Sequence, residues 1–178
     1  MNKNITTEQL ENIVIDAGVV YVNYGEEGEQ LLAPTRGGNS FVVEQEIRQL
    51  ERDGARGKEK GLRRVVEENA TLTVNTLDLS VETLKLALAG AVKTGDKIES
   101  GEGTIAEEEY LKNVTLIGED MAGNHRVIQI YNALGDNGLS IETNDRDEVV
   151  VAIEFSAHWN PKDYSEPLYS IETVTPTP

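Results

Sequence analysis

The sequence predicts a mainly β protein, an antiparallel β-sandwich or barrel with one flanking α-helix at about residues 80–89. Three observations predict this fold class. Apolar and polar residues alternate over several short segments, which is the period of a half-buried strand. Aromatic residues make up only 5% of the chain, so the core has to be built from Val, Ile and Leu, which suit sheets. Helical spacing of apolar residues is clear only once.

That helical spacing lies within Thr71–Gly90, where the period changes. Up to Leu77, apolar residues alternate with Thr and Asn, which predicts a strand with one polar face. Ser80 lies where a helix N-cap belongs and Gly90 where a C′ glycine belongs, so a helix of about three turns should follow. The apolar stripe of this helix predicts three packing residues: Val81, Leu84 and Leu88.

A second clear strand is predicted at Phe41–Leu50. A helix is the rival interpretation, because the stretch EQEIRQLER contains good helix formers. We favour the strand, since the segment begins with β-branched residues and alternates. One face would then carry Phe41, Val43 and Ile47, and the other Glu44, Glu46 and Arg48.

The remaining strands are shorter, and turn signals separate them. A turn near Asn69 divides two strands, Gly135–Gly138 and Asn144–Asp147 are hairpin-turn signals, and residues 91–109 are mostly loop. The predicted strands are residues 12–16, 19–24, 30–33, 62–68, 71–77, 110–117, 126–134, 139–143 and 148–157.

The chain of 178 residues is long enough for one sizeable core and short for two. We predict one β domain at residues 11–159, a loose N-terminal arm at residues 1–10 and an extended C-terminal arm at residues 160–178. Prolines exclude a central strand from that tail. A glycine-punctuated loop at residues 53–61 should form the tip of an extended hairpin. Six bases and two acids lie between Arg52 and Arg64.

The charge is strongly acidic and uneven. The net charge is −16, and residues 101–178 hold 15 acids against 4 bases. Such a surface repels phosphate backbones, which argues against tight nucleic-acid binding. From charge alone, solubility is the favoured explanation. A channel that must pass DNA without holding it would need the same sign.

No catalytic, cofactor-binding or metal-binding pattern is present. The chain has no cysteine, and its two histidines, His125 and His158, form no metal-ligand spacing. A calcium site at Asp145 and Asp147 is conceivable but weakly indicated. The alternative of a glycan hydrolase would need two paired carboxylates, and nothing selects two from 32 acids. We therefore expect a non-enzyme, with no signal peptide or membrane span, made in a cytoplasm.

The sequence resembles the tail tube proteins, or major tail proteins, of long-tailed phages and prophages, over roughly residues 11–165. The order and spacing of several short motifs carry the resemblance. The motifs are Tyr21-Val22-Asn23-Tyr24-Gly25, Thr35-Arg36-Gly37-Gly38, Asp53-Gly54-Ala55-Arg56-Gly57 with Lys60-Gly61, the strand–helix ending Leu84–Gly90, and Glu154-Phe155-Ser156-Ala157-His158-Trp159-Asn160-Pro161.

The resemblance implies a virion structural protein that self-assembles. Six copies would form a ring, and stacked rings would form a tube through which DNA passes without specific binding. It implies a place in the virion tail, assembly in the host cytoplasm, and contacts with tape measure, baseplate and terminator proteins, with no cofactor and no membrane. The alternatives are another ring-forming tail component, such as a terminator or baseplate hub, or a tube protein like that of type VI secretion.

Within that interpretation the loop and the strands receive roles. The loop would contact neighbouring subunits, and the polar face of the strand at residues 71–77 would be a candidate wall of the lumen. The predicted inter-subunit residues are Asp53, Arg56, Lys58, Lys60 and Arg63, and the lumen candidates are Glu44, Glu46 and Glu68.

Overall fold

The computed structural model describes residues 5–14, 16–143 and 145–176. Strands dominate, as the alternating pattern predicts. The helices are α1 (Thr7–Glu11), α2 (Val81–Leu86) and a 3-10 turn at Glu107–Glu109. The strands are β1 (Val19–Val22), β2 (Gln30–Leu32), β3 (Ser40–Gln49), β4 (Arg63–Thr76), β5 (Val92–Thr94), β6 (Lys97–Glu99), β7 (Leu111–Glu119), β8 (His125–Ala133), β9 (Val151–Ser156) and β10 (Tyr169–Val174).

The strands form antiparallel sheets, which confirms the predicted fold class. A five-stranded sheet has the order β10-β8-β7-β1-β2, and a three-stranded sheet has the order β3-β4-β9. A small hairpin of β5 and β6 lies beside α2. Side chains from the two larger sheets meet in one core. This arrangement is a sandwich, in which the facing sides of the two larger sheets form the core.

The core follows from the alternation of each strand. Every second residue at the end of β4 is buried, and β9 repeats the pattern, because successive side chains point to opposite faces. The largest fully buried side chain is Phe155. The buried aliphatic residues around it are Val20, Val22, Leu32, Leu72, Val74, Val114, Ile130, Val151 and Ile153.

Helix α2 is shorter than predicted. Ser80 caps it by accepting a hydrogen bond from the Thr83 amide, as expected, but the helix ends at Leu86 rather than near residue 89. The reason lies in Gly135, whose carbonyl accepts from the Ala89 amide. A Cβ on this glycine would lie 1.9 Å from the Leu86 carbonyl oxygen. The predicted hairpin turn at residues 135–138 is therefore wrong, since this segment braces the end of α2.

Strand β4 is one continuous strand of 14 residues. The prediction of two strands separated by a turn at Asn69 is wrong. Asn69 pairs with Glu44 in the ladder, because β3 runs alongside β4 from Ser40 to Gln49. A β-bulge between Glu46 and Ile47 accommodates the mismatch in register.

Several smaller expectations also change. Residues 139–143 form no strand, and the segment at residues 12–16 makes only a bridge, Val14 to Asp120, while residue 15 lies outside the described residues. The loop at residues 91–109 contains β5 and β6. The predicted turn at Asn144–Asp147 falls partly on a residue that is not described.

Both predicted terminal arms contain ordered elements. Helix α1 begins inside the N-terminal arm, and its first turn is fixed by reciprocal hydrogen bonds of Thr6 and Gln9. Strand β10 lies inside the C-terminal arm and forms an edge of the five-stranded sheet, so residue 160 does not mark the end of the body. Residues 1–4 and 177–178 lie outside the described residues.

Candidate assembly surface

The outer parts of β3 and β4, with the loop between them, project from the sandwich. We call residues 44–69 the arm. β9 pairs with β4 only from Thr71 to Thr76, and within the described chain no third strand pairs with residues 63–69. β4 buries alternate residues only from Ala70 onward. At about 3.4 Å per residue, the strand extends roughly 24 Å beyond the body.

The arm is exposed on both faces and yet carries large apolar side chains. Four of them are between 43% and 64% exposed: Ile47, Leu50, Val65 and Val66. A two-stranded ribbon in water is marginally stable by itself. Solvent-exposed apolar side chains on such a ribbon indicate a surface that another molecule covers.

Like charges face each other across the arm. Glu46 is directly opposite Glu67, and Arg48 is directly opposite Arg64. Such pairs are destabilising in an isolated hairpin. Charges of opposite sign on a second molecule would relieve both of them.

Most of the basic residues of the arm have no partner among the described residues. Arg52 forms an ion pair with Glu59 at 2.6 Å, and Gln49 Nε2 donates to the Gly57 carbonyl at 2.7 Å, which holds the tip in shape. In the described chain, all but one of the lysines and arginines that make no side-chain hydrogen bond or ion pair belong to the arm. They are Arg48, Arg56, Lys58, Lys60, Arg63 and Arg64, and the exception is Lys112.

The structure brings the predicted inter-subunit residues together. All five are exposed, four of them in the tip and one at the start of β4. The sequence did not predict that β4 carries the group so far from the body. It also did not predict that Arg48 and Arg64 extend the basic surface along the arm. The residues concerned are Asp53, Arg56, Lys58, Lys60 and Arg63.

The three lumen candidates do not share a face. Glu44 and Glu46 lie two residues apart on β3, whereas Glu68 pairs with Gln45 and therefore points to the opposite side. All three belong to the arm rather than to the body of the sheet. The polar face predicted at Thr71–Asn75 is partly covered, because Asn75 Nδ2 donates to the Gly38 carbonyl at 2.7 Å. A lumen role for any of them stays a prediction.

The predicted packing residues of α2 lie mainly beside a surface groove. Leu84 packs against the core. Leu84, Val81 and Leu88 also line an apolar groove that Ile98 and Leu139 complete. Within α2 and its C-cap, the two fully buried residues are Thr83 and Ala87.

Thr83 stabilises the start of α2, and the apolar pattern did not predict this role. Its hydroxyl donates to Asp78 Oδ2 at 2.6 Å, and the Ser80 amide donates to the same carboxylate at 2.9 Å. The Thr83 hydroxyl, followed by the Ser80 amide, holds the pKa of Asp78 below its ordinary value. An Asp two residues before a Ser N-cap is the signal that could have revealed this network.

Two classes of site are not found in the described chain. Residues 5–14, 16–143 and 145–176 hold no group of three potential metal ligands close enough to bind an ion. No helix in the same residues is both long and apolar enough to cross a bilayer.

No family model matches the chain, and no curated protein matches it. Among solved structures, a chain of "Virion of native gene transfer agent (GTA) particle" aligns with a TM-score of 0.47 and 7% identity, covering 89% of this chain and 96% of that chain. A chain of "Tail of empty GTA particle computed with helical refinement, C6 symmetry" aligns with a TM-score of 0.45 and 8% identity, covering 81% and 92%. Both scores and identities are low, so function is argued from this chain's own residues.

Proposed function

We propose that this protein is a structural subunit of a phage tail tube, which self-assembles into stacked, hexameric rings around a conduit for DNA. The observation that carries the proposal is the arm. It is a long ribbon with exposed apolar side chains, opposed like charges and bases without partners in the described chain. The exposed apolar side chains and the opposed like charges are unfavourable in a free subunit, and both are relieved once another subunit covers them.

The rest of the chain supports the same function. The body is an antiparallel sandwich, in line with the fold class that the sequence predicts. The body is acidic, whereas the outer part of the arm, residues 48–64, holds seven bases against three acids. These opposite signs favour contacts between different surfaces of identical copies. Contacts of this heterologous type close into rings or continue into filaments. DNA would pass an acidic wall without being held.

The proposal assigns the protein to the virion tail and assigns it no catalytic activity. Its partners would be other copies of itself, with tape measure, baseplate and terminator proteins at the ends of the tube. A ring-forming terminator, a baseplate hub or a secretion-type tube would use the same arm. The length of the assembly distinguishes a tube subunit from a capping ring.

Negative-stain microscopy of the purified protein tests the proposal. The wild type should form long tubes unaided. The triple variant Arg56→Glu, Lys58→Glu, Lys60→Glu should form none while its near-ultraviolet circular dichroism is unchanged, because these side chains lie outside the core. Lys112→Glu is the matched control, since this base also lacks a partner in the described chain but lies off the arm.

The outcomes divide clearly. Tubes from the wild type and Lys112→Glu, but not from the triple variant, support the proposal. Rings that never stack indicate a capping component instead. A wild-type protein that stays monomeric at high concentration contradicts assembly as its function.

A further inference from the structure

Helix α1 has a stable first turn but nothing beneath it. Reciprocal hydrogen bonds between Thr6 and Gln9, at 2.9 and 3.2 Å, close its N-terminus. The helix has five residues and buries none of them. So short a helix is marginal in water without tertiary packing. Its apolar side chains, Leu10 at 40% and the preceding Ile5 at 60% exposure, face solvent.

Helix α1 leads into a corner that is held firmly to the body. The Met121 amide donates to the Ile13 carbonyl at 2.9 Å, Val14 bridges to Asp120, and Arg126 donates to the side chain of Asn12. The end of β10 joins the same corner. There the Thr175 hydroxyl donates to Asn124 Oδ1 at 3.0 Å, and Arg126 also contacts Thr173. We call residues 5–14, residues 119–126 and the end of β10, residues 172–175, the N-terminal corner.

The turn at the centre of this corner is rigid. The Asp120 carboxylate is 1% exposed and accepts from the amides of Ala122 and Asn124 at 3.0 and 2.9 Å. Arg126 lies 3.4 Å from the same carboxylate. Burial raises the pKa of Asp120, but these hydrogen bonds and the Arg126 charge outweigh it and leave the pKa below its ordinary value. The turn is therefore a preformed part of the corner.

The exposed face of the corner is apolar with an acidic surround. Its one described lysine or arginine, Arg126, is already paired with Asp120. The exposed apolar residues are Ile5, Leu10, Ile13, Val14, Met121 and Val174, and the exposed acids are Glu8, Glu11, Glu119 and Glu172.

We propose that the N-terminal corner is the surface on which the arm of a second copy docks. The chemistry of the two surfaces is complementary. The outer part of the arm, residues 48–64, holds seven bases against three acids and exposes Leu50, and the corner offers apolar side chains among acids. The contact covers Leu50 and the apolar side chains of the corner, and it neutralises Arg48 and Arg64, the opposed bases of the arm. It is heterologous, because the arm and the corner are different surfaces of one chain.

This inference rests on the proposed self-assembly, and a charge-swap experiment tests it separately. The corner variant carries Glu8→Arg and Glu11→Arg, and the arm variant carries Arg48→Glu and Arg64→Glu. Sedimentation velocity should show that each variant alone needs at least about tenfold more protein than the wild type to assemble, because like charges then meet across the contact. An equimolar mixture should assemble near the wild-type concentration, since each reversed surface finds its complement on the other chain.

The control variant is Glu26→Arg with Glu27→Arg, in the turn between β1 and β2. This control makes the same change in net charge as the corner variant, but at the opposite end of β1. It should assemble like the wild type. Equal urea midpoints for all variants below their assembly concentration establish that the fold is intact.

Three results would overturn the inference. If the corner variant assembles like the wild type, the arm docks elsewhere or a different protein covers the corner, while the proposed function stands. If both variants fail singly and also fail when mixed, the two surfaces do not meet each other. If the wild type never assembles, the proposed function fails as well.

Discussion

The two halves of β4 are one strand with two physical environments. From Ala70 to Thr76 every second side chain is buried and β9 supplies a second ladder of hydrogen bonds. From Arg63 to Asn69 the same strand has only β3 beside it, and nearly every residue is exposed. The inner half is stabilised by the chain's own core. The outer half is held by a single ladder, so its stability depends on what covers it.

The sharpest test of this contrast compares one truncation in each half. Leu72→Ala should lower the free energy of unfolding by about 2–5 kcal/mol, because it leaves a cavity in the core. Val65→Ala should change it by about 0.5 kcal/mol or less in the dispersed subunit, since this side chain is largely exposed. Urea denaturation below the assembly concentration measures both. Similar losses at the two positions would mean that the arm is part of the cooperative core.

A smaller loss of folding stability is expected where backbone atoms of two segments of the body are in direct contact. Gly135→Ala would place a Cβ against the Leu86 carbonyl and should destabilise the subunit by about 1–3 kcal/mol through displacement of α2. Gly118→Ala is the matched control, because its Cβ would meet the Val14 side chain at 3.1 Å, and that exposed side chain can move. Thermal denaturation of the two variants should rank them in that order. The reverse order would contradict the bracing role of residue 135.

The smallest effect is a pH dependence of folding stability, and it arises from Asp78 in the body. The folded pKa of Asp78 is lowered, so its contribution to stability is complete above the ordinary value of 3.8 and is lost as the pH falls through the lowered pKa. Asp78→Asn should therefore lower the urea midpoint at pH 7, and the gap from the wild type should narrow at pH 3. A gap that stays constant between these pH values would show that the ionised carboxylate is not the stabilising form.

Local pattern was sufficient where a residue's environment follows from its neighbours in sequence. Alternation in Phe41–Leu50 predicted β3, although its two faces differ in burial only as far as Val43. The glycines of residues 53–61, between two alternating segments, predicted the loop that becomes the tip. Asn69 misled because Asn favours turns locally, and only the ladder with β3 keeps it in a strand. The prolines of the C-terminal segment hid β10 although none lies within it, since Pro167 precedes the strand and Pro176 follows it.

The candidate surface was predictable only in part, for a similar reason. A cluster of bases can be counted in the sequence, but whether each base has a partner depends on acids that are distant in the chain. Arg36, for example, pairs with Asp147, 111 residues away. The N-terminal corner went unnoticed although Thr6 and Gln9 have the spacing of a capping box. Its apolar residues come from both ends of the chain and from the turn at residues 120–124, and these segments meet only after folding.

Because of the bulge, different residues determine the reach of the arm and the direction of its tip. The number of paired residues in β3 and β4 determines the reach of the arm, and each added pair would lengthen it by about 3.4 Å. The extra residue at the bulge, Val66, bends and twists the ribbon and so determines the direction of the tip. Insertions outside the bulge change distance, whereas loss of Val66 changes orientation, and neither touches the core. In the proposed assembly, the spacing and the rotation between neighbouring subunits would therefore change independently of each other and of the body.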